Sequence, residues 1–131
     1  MILDKENMFS EAQALTSDAD STNIIDLGVE GYGKGQAIPI FIQVQEAFDN
    51  LTNIKFTLQS AVNAAFTTTV SHQSVTVLLA SLDAVGDRVN LGYLPEDVHR
   101  YVKIDYDLTG STPTAGKVDA GLVLDKQTNE L

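Results

Sequence analysis

The chain has no cysteine, no tryptophan and only three prolines, and it sets eight lysines and arginines against eighteen aspartates and glutamates. Each shortage removes a class of protein. Without cysteine there is no disulfide, no thiolate metal ligand and no thiol nucleophile. The domain must therefore hold together on its core alone. At 131 residues that is feasible, since a chain of this size buries roughly 65–70% of its unfolded surface. Absent cysteine also fits synthesis in a reducing cytoplasm. The net charge of −10 argues against a nucleic-acid partner, because phosphates are neutralised by clustered Lys and Arg. Here the cations are scattered, and the nearest approach to a cluster, Arg100 to Lys103, is flanked by Asp97 and Asp105. Solubility is the plain reading of the acidic balance. No apolar run approaches the ~20 residues of a membrane span. Met1-Ile2-Leu3 gives way at once to Asp4, Lys5 and Glu6, so no leader and no membrane association are expected.

What is present is a folded-domain composition, 44% apolar and 20% charged, organised with period two. Ile38, Ile40, Ile42 and Val44 alternate with Pro39, Phe41, Gln43 and Gln45. Ile54, Phe56 and Leu58 alternate with Lys55, Thr57 and Gln59. Val102, Ile104, Tyr106 and Leu108 alternate with Lys103, Asp105, Asp107 and Thr109. Such alternation buries one face of a strand. Weaker strand patterns cover residues 12–15, 24–27, 75–82, 88–94 and 117–124. The sum is about eight antiparallel strands at short spacing, an all-β single domain over residues 1–131 built as a sandwich or barrel.

The connections have their own chemistry. Residues 28–35 hold four glycines and read as a loop. Asp49-Asn50 reads as a hairpin turn between Phe48 and Ile54. Pro95 ends the strand that precedes it. Residues 60–66 have a helical composition but too few residues to be stable alone. They are expected to form one or two turns of helix, with Phe66 plugging one end of the sandwich.

The search for catalytic groups returns little. His72 and His99 lack partners at metal-ligand spacing. There is no Gly-x-Ser-x-Gly elbow and no phosphate-binding loop, since Gly31-Tyr32-Gly33-Lys34-Gly35 is not followed by a helix. Asp105 and Asp107 share a strand face, but one such pair falls well short of the six to eight oxygens that calcium takes. It reads as a solvated face before it reads as a glycosidase pair. No cofactor, no metal and no enzymatic activity are expected. Sugar-binding modules stack rings on flat aromatics, and Tyr32, Tyr93 and Tyr101 are the candidates for that role.

One run is more distinctive: Gly92-Tyr93-Leu94-Pro95-Glu96-Asp97-Val98-His99-Arg100-Tyr101-Val102-Lys103-Ile104-Asp105-Tyr106. It combines with the final strand Thr114-Ala115-Gly116-Lys117-Val118-Asp119-Ala120-Gly121-Leu122-Val123-Leu124-Asp125, the start Met1-Ile2-Leu3-Asp4-Lys5 with Phe9, Ala12 and Gln13, and Ile25-Asp26-Leu27-Gly28. Together these resemble the jelly-roll capsid cement (decoration) proteins of tailed bacteriophages. The likeness runs from Met1 to about Thr128. The glycine-rich Glu30–Gln36 loop departs from the family pattern.

The resemblance implies a jelly-roll sandwich made in the host cytoplasm. It would bind the outer surface of a phage head and stabilise contacts between major capsid protein subunits, as a homo-oligomer, a dimer ahead of a trimer. An acidic protein is suited to that outer position, since packaged DNA repels it. An N-terminal arm, residues 1–10, is expected to be the anchor. Ile2, Leu3, Met8 and Phe9, with Tyr32 and Arg100, are the expected contacts to capsid or to a second copy. The alternative function is a carbohydrate-binding β-sandwich module. A hydrolase using Asp105 and Asp107 stands third.

Overall fold

The computed structural model describes residues 7–28 and 38–123. These form nine strands: β1 (Met8–Ala14), β2 (Ala19–Asp20), β3 (Ile25–Asp26), β4 (Ile40–Glu46), β5 (Leu51–Ala61), β6 (Val70–Leu78), β7 (Arg88–Val89), β8 (Tyr101–Gly110) and β9 (Lys117–Leu122). They make two sheets. One has the order β1-β9-β4-β7. The other has the order β2-β8-β5-β6, with β3 also on β8. Every pairing is antiparallel.

β2 and β3 are two halves of one interrupted strand. β2 pairs with Asp105 and Tyr106, and β3 with Tyr101 and Val102. At the break the Ser21 amide donates to the Ile104 carbonyl (2.7 Å), and the Ile104 amide donates to Ser21 Oγ (3.1 Å). With the halves counted together, the first strand pairs with the last, the second with the next to last, and so inward. That wrapped order defines a jelly roll.

The alternation explains the core. Ile40, Ile42 and Val44 project from one sheet, and Ile54, Phe56, Leu58, Val102, Ile104 and Tyr106 from the other, each buried to 1% exposure or less. Tyr106 meets Phe56 edge to face at 5.7 Å. Its hydroxyl reaches Ser10 Oγ (2.7 Å), which donates onward to Gln13 Oε1 (2.6 Å). Tyr106 lies on β8 and Ser10 on β1, so this buried bond pins the two sheets together. Burial raises the Tyr106 pKa far above that of a free phenol, so the hydroxyl keeps its proton and donates it to Ser10.

Local sequence signals were overridden at four places. Asp49-Asn50 is not a hairpin turn, because β4 and β5 lie in different sheets. It is a corner between sheets. Asn50 takes a positive φ of 62°, and the Asp49 carboxylate accepts the Thr114 amide (2.7 Å), the Ala115 amide (3.2 Å) and the Thr114 hydroxyl. Residues 60–66 form no helix. β5 continues to Ala61 because Ser60 and Ala61 pair with Val102 and Tyr101 of β8. Phe66 does not plug an end of the sandwich. It lies under Lys103, whose Nζ is 4.5 Å from the ring centroid. The strand expected over residues 88–94 is only β7, followed by a bridge between Pro39 and Tyr93.

The expected arm also ends early. Residues 8–10 are not part of an arm but open β1. Phe9 is fully buried in the core, worth roughly 1.5–3 kcal/mol of folding free energy. It is therefore not available to a partner. Met8 is 5% exposed and sits over Gly121, where an added Cβ would come within 2.7 Å of its sulfur. Both side chains serve the chain's own fold.

Candidate functional site

Four groupings of polar side chains, together with one cleft, are the places where chemistry or binding would be sought. The first braces β3 and Gly28 against the start of β8. Arg100 meets Asp26 in a bidentate pair, Nε to Oδ1 at 2.8 Å and Nη2 to Oδ2 at 3.0 Å. Asp26 Oδ1 also accepts the Gly28 amide (2.8 Å), and the Leu27 amide donates to the Arg100 carbonyl (2.8 Å). The guanidinium hydrogen bond, then the Gly28 amide, hold the Asp26 carboxyl below its ordinary range. Arg100 also lies over the Tyr101 ring at 5.2 Å. It is thus committed within the chain, bracing β3 against β8. Of the other expected contacts, Ile2, Leu3 and Tyr32 lie outside the described residues.

The second grouping is on the outer face of β8. Asp105 stands directly across from Asp20 on β2, and Lys103 Nζ reaches Asp20 Oδ2 at 2.9 Å. Burial, then a hydrogen bond and charge repulsion from Asp20, raise the Asp105 pKa. The partner of Asp105 is therefore Asp20, 85 residues away in the chain, rather than Asp107 two residues on. A carboxylate pair on an open sheet face, with a lysine beside it, has the makeup of a stabilised surface. Among the described residues no group of three or more His, Asp or Glu is placed to hold a metal ion.

The third grouping has the residue types of a hydrolase triad. Ser60 Oγ lies 2.5 Å from His72 Nε2, and His72 Nδ1 lies 3.8 Å from Asp97 Oδ1. Its geometry is structural. Ser60 is fully buried, so no substrate carbonyl can approach its hydroxyl. Its Oγ already accepts the His99 amide (3.2 Å). The Nδ1–Asp97 separation is too long for a hydrogen bond. Burial outweighs Asp97 and lowers the His72 pKa, so the imidazole is neutral at neutral pH. With Nδ1 turned toward Asp97, the ring proton belongs there, and Nε2 accepts from Ser60. The cluster ties β5, β6 and the 94–99 corner together.

The fourth grouping is Gln73 on β6, whose Nε2 donates to the carbonyls of Leu91 (3.1 Å) and Tyr93 (2.6 Å). It holds the same corner from the other side. Beside β7 lies a cleft of about 240 Å³ lined by Ile40, Phe41, Ile42, Arg88, Val89 and Asn90. It is smaller than ordinary ligand pockets of ≈ 300–1,000 Å³. It contains no serine, histidine or carboxylate, and Arg88 stacks on Phe41 at 5.6 Å.

None of these four linkages was evident from local spacing. Ser60 carried the clearest signal. It continues the inward phase of Phe56 and Leu58, and a serine at a core position demands buried partners.

The fold is thus a jelly-roll β-sandwich whose buried polar groups tie strands and corners together. The chain belongs to the Bbp16 family, whose model matches residues 9–122. The name is of a phage-related kind. No curated protein matches the chain.

Proposed function

We propose that the protein is a structural virion component, a cement protein that binds the outside of a tailed-phage head and reinforces contacts between major capsid protein subunits. The observation that carries the phage assignment is the Bbp16 match over residues 9–122, and the cement role follows from the resemblance to the jelly-roll capsid cement proteins. The distribution of chemistry supports it. Ser60 is sealed, and Asp20 is paired with Lys103. The molecule acts by adhesion rather than catalysis. Its acidic charge suits an exterior position, away from packaged DNA. It is made in the host cytoplasm and works as a homo-oligomer, because a copy number above one multiplies modest contacts through effective concentration.

Met8 and Phe9 are used internally, so the anchor narrows to Ile2 and Leu3. The test is direct. Heads lacking the protein are incubated with it, and occupancy and heat resistance are measured. Binding with raised heat resistance is the expected result. Failure to bind refutes the reading. Removing residues 1–6 preserves β1 and tests the anchor separately; unchanged occupancy would exclude it.

The carbohydrate reading is weaker. Tyr106 is buried and Tyr101 is half-buried under Arg100, which leaves Tyr93, 56% exposed, as the one open ring among the described tyrosines. Glycan-array binding lost in Tyr93→Ala would revive it.

A further inference from the structure

The outer side of an antiparallel sheet ordinarily carries polar residues, because water lies against it. On the first sheet that side changes character along its length. In the middle and at the far end of β4 the outward positions are Gln43 and Gln45, with Asp119 across from Gln43. At the other end, where β4 begins and β9 finishes, they are Phe41 and Gly121, with Met8 of β1 paired to Gly121. Pro39 and Val123, one residue outside each strand, continue the same phase and share a hydrogen bond, from the Val123 amide to the Pro39 carbonyl at 3.2 Å. Phe41 is 4% exposed, Met8 5% and Val123 6%. None of the three belongs to the core cluster between the sheets. An apolar half-face on the outside of a sheet demands a cover of its own.

The cleft between β4 and β7 opens on this half-face beside Phe41, and Arg88 lies over the Phe41 ring at its rim. Too small for an ordinary ligand, it has room for an aliphatic side chain. The chain that enters β1 already lies on the same side. A Cβ added to Gly121 would come within 2.8 Å of the Asn7 carbonyl oxygen and 2.7 Å of the Met8 sulfur. The backbone at Asn7 therefore passes over β9, and glycine at position 121 is what admits it.

We propose that residues 1–6 continue across this half-face as a strap, with the Ile2-Leu3 pair seated in the cleft beside Phe41. Reach selects this occupant. From β9 the cleft beyond β4 is two strand spacings away, roughly 10 Å. Residues 3–6, extended, cover roughly 13 Å, which brings Leu3 to it. Composition agrees. Ile2-Leu3 is an apolar pair at that distance, and Asp4 beside it is opposite in sign to Arg88. Residues 124–131, which leave from the same end, read Leu-Asp-Lys-Gln-Thr-Asn-Glu-Leu and offer no apolar pair. The strap stores Ile2 and Leu3 out of water in the free protein, and seating them adds apolar burial to the fold. A head must displace it before those two residues can act as the anchor. That last step rests on the capsid reading above; the strap itself does not.

The chain has no cysteine, so disulfide trapping in the full-length protein reads the contact without background. The trapping pair is Asp4→Cys/Asn90→Cys, since Asn90 is exposed at the cleft. The control is Asp4→Cys/Ser74→Cys, since Ser74 is exposed on the second sheet. The expected result is a bond within one chain, shown by peptide mapping of an isotopically mixed sample. It should form about tenfold or more faster than in the control, because seating raises the effective concentration of the two thiols. A second measurement leaves cysteine out. Leu3→Ala should lower Tm in the otherwise native chain and leave it unchanged in a Phe41→Ala background. Equal trapping at Asn90 and Ser74, a bond between two chains, or a native-background Tm unmoved by Leu3→Ala would each overturn the proposal. So would faster trapping of a Leu124→Cys/Asn90→Cys pair, which would seat residues 124–131 there instead. Trapped protein that decorates heads as fully as its reduced form would sink the anchor and leave the strap standing. Failure to trap, with head binding intact, would do the reverse.

Discussion

Replacing Ser60 with alanine separates a structural cluster from a catalytic one. The hydroxyl makes two bonds, to His72 Nε2 at 2.5 Å and from the His99 amide at 3.2 Å. Each contributes about 0.5–1.5 kcal/mol net, and a buried group left without its partner costs about 1–3 kcal/mol. The His99 amide and the His72 ring are partly sheltered, so the sum is about 2–3 kcal/mol at neutral pH. For a domain of this length, that lowers Tm by roughly 6–12 °C. The loss should depend on pH. Hydrogen bonding to the neutral ring disfavours its protonation, so without the hydroxyl His72 takes up a proton more readily in the fold. Less stability is then lost on acidification. Urea unfolding at pH 7.5 and pH 5 should show the larger Ser60→Ala deficit at pH 7.5. A deficit under about 0.5 kcal/mol at both pH values, typical of surface changes, would refute the bonding. An equal deficit at both would refute the coupling to His72.

Gly116→Ala should cost about 2–5 kcal/mol by calorimetry. Gly116 has φ +140°, and an added Cβ would lie 2.6 Å from Phe48 Cγ, combining backbone strain with overpacking. Trimming Phe48 to alanine in the same chain should recover only the overpacking part, which a double-mutant cycle reads directly. Wild-type stability should fall as pH drops below 6.5. Burial holds the folded His72 pKa below the ordinary histidine value, so the unfolded chain binds the extra proton there. His72→Gln should flatten this region of a Tm-versus-pH plot, and an unchanged slope would assign it elsewhere. At lower pH two effects oppose each other. Asp26 and Asp49 titrate below their ordinary 3.8 and lose stability as pH falls toward their folded values. Asp105 titrates above it, so Asp105→Asn should reduce the stability gained on its protonation. Arg100→Ala should leave global stability nearly unchanged, because the Asp26 pair is exposed and screened. Its effect should appear as faster hydrogen exchange at Leu27 and Gly28.

How much of this was legible in the sequence depended on whether one face of a strand was apolar without exception. Residues 38–45, 54–58 and 102–109 alternate, and from Ile40 on all three lie in strands. The interrupted strand β2/β3 did not read so clearly. Its first half is Ala19-Asp20, and it is held by pairing with β8 rather than by any local preference. At residues 60–66 a helical composition lost to sheet pairing, because Ser60 has neighbours on both sides and Ala61 pairs with Tyr101 of β8. The Asp49-Asn50 corner shows a different limit. A turn signal states that the chain reverses or bends, but not whether the next strand joins the same sheet or the opposite one. The side-chain clusters were beyond reach for a simpler reason. Arg100 and Asp26 are 74 residues apart, and Ser10 and Tyr106 are 96 apart. Only the wrapped jelly-roll order brings them together.

That order also explains why the domain keeps buried polar side chains. A sandwich cemented by apolar contacts alone leaves strand register and corner geometry weakly specified, since many packings bury similar area. Here each buried hydroxyl fixes one such choice. Ser10 with Tyr106 sets β1 against β8, Ser21 sets the break in the interrupted strand, and Ser60 with His72 sets the 94–99 corner. These groups are spent on shape, and mutating them should change stability first. Leu78, by contrast, is 61% exposed and takes no part in these clusters. Substitutions at exposed Ser74 and Leu78 should have little effect on Tm, while Ser60→Ala and Gly116→Ala should lower it.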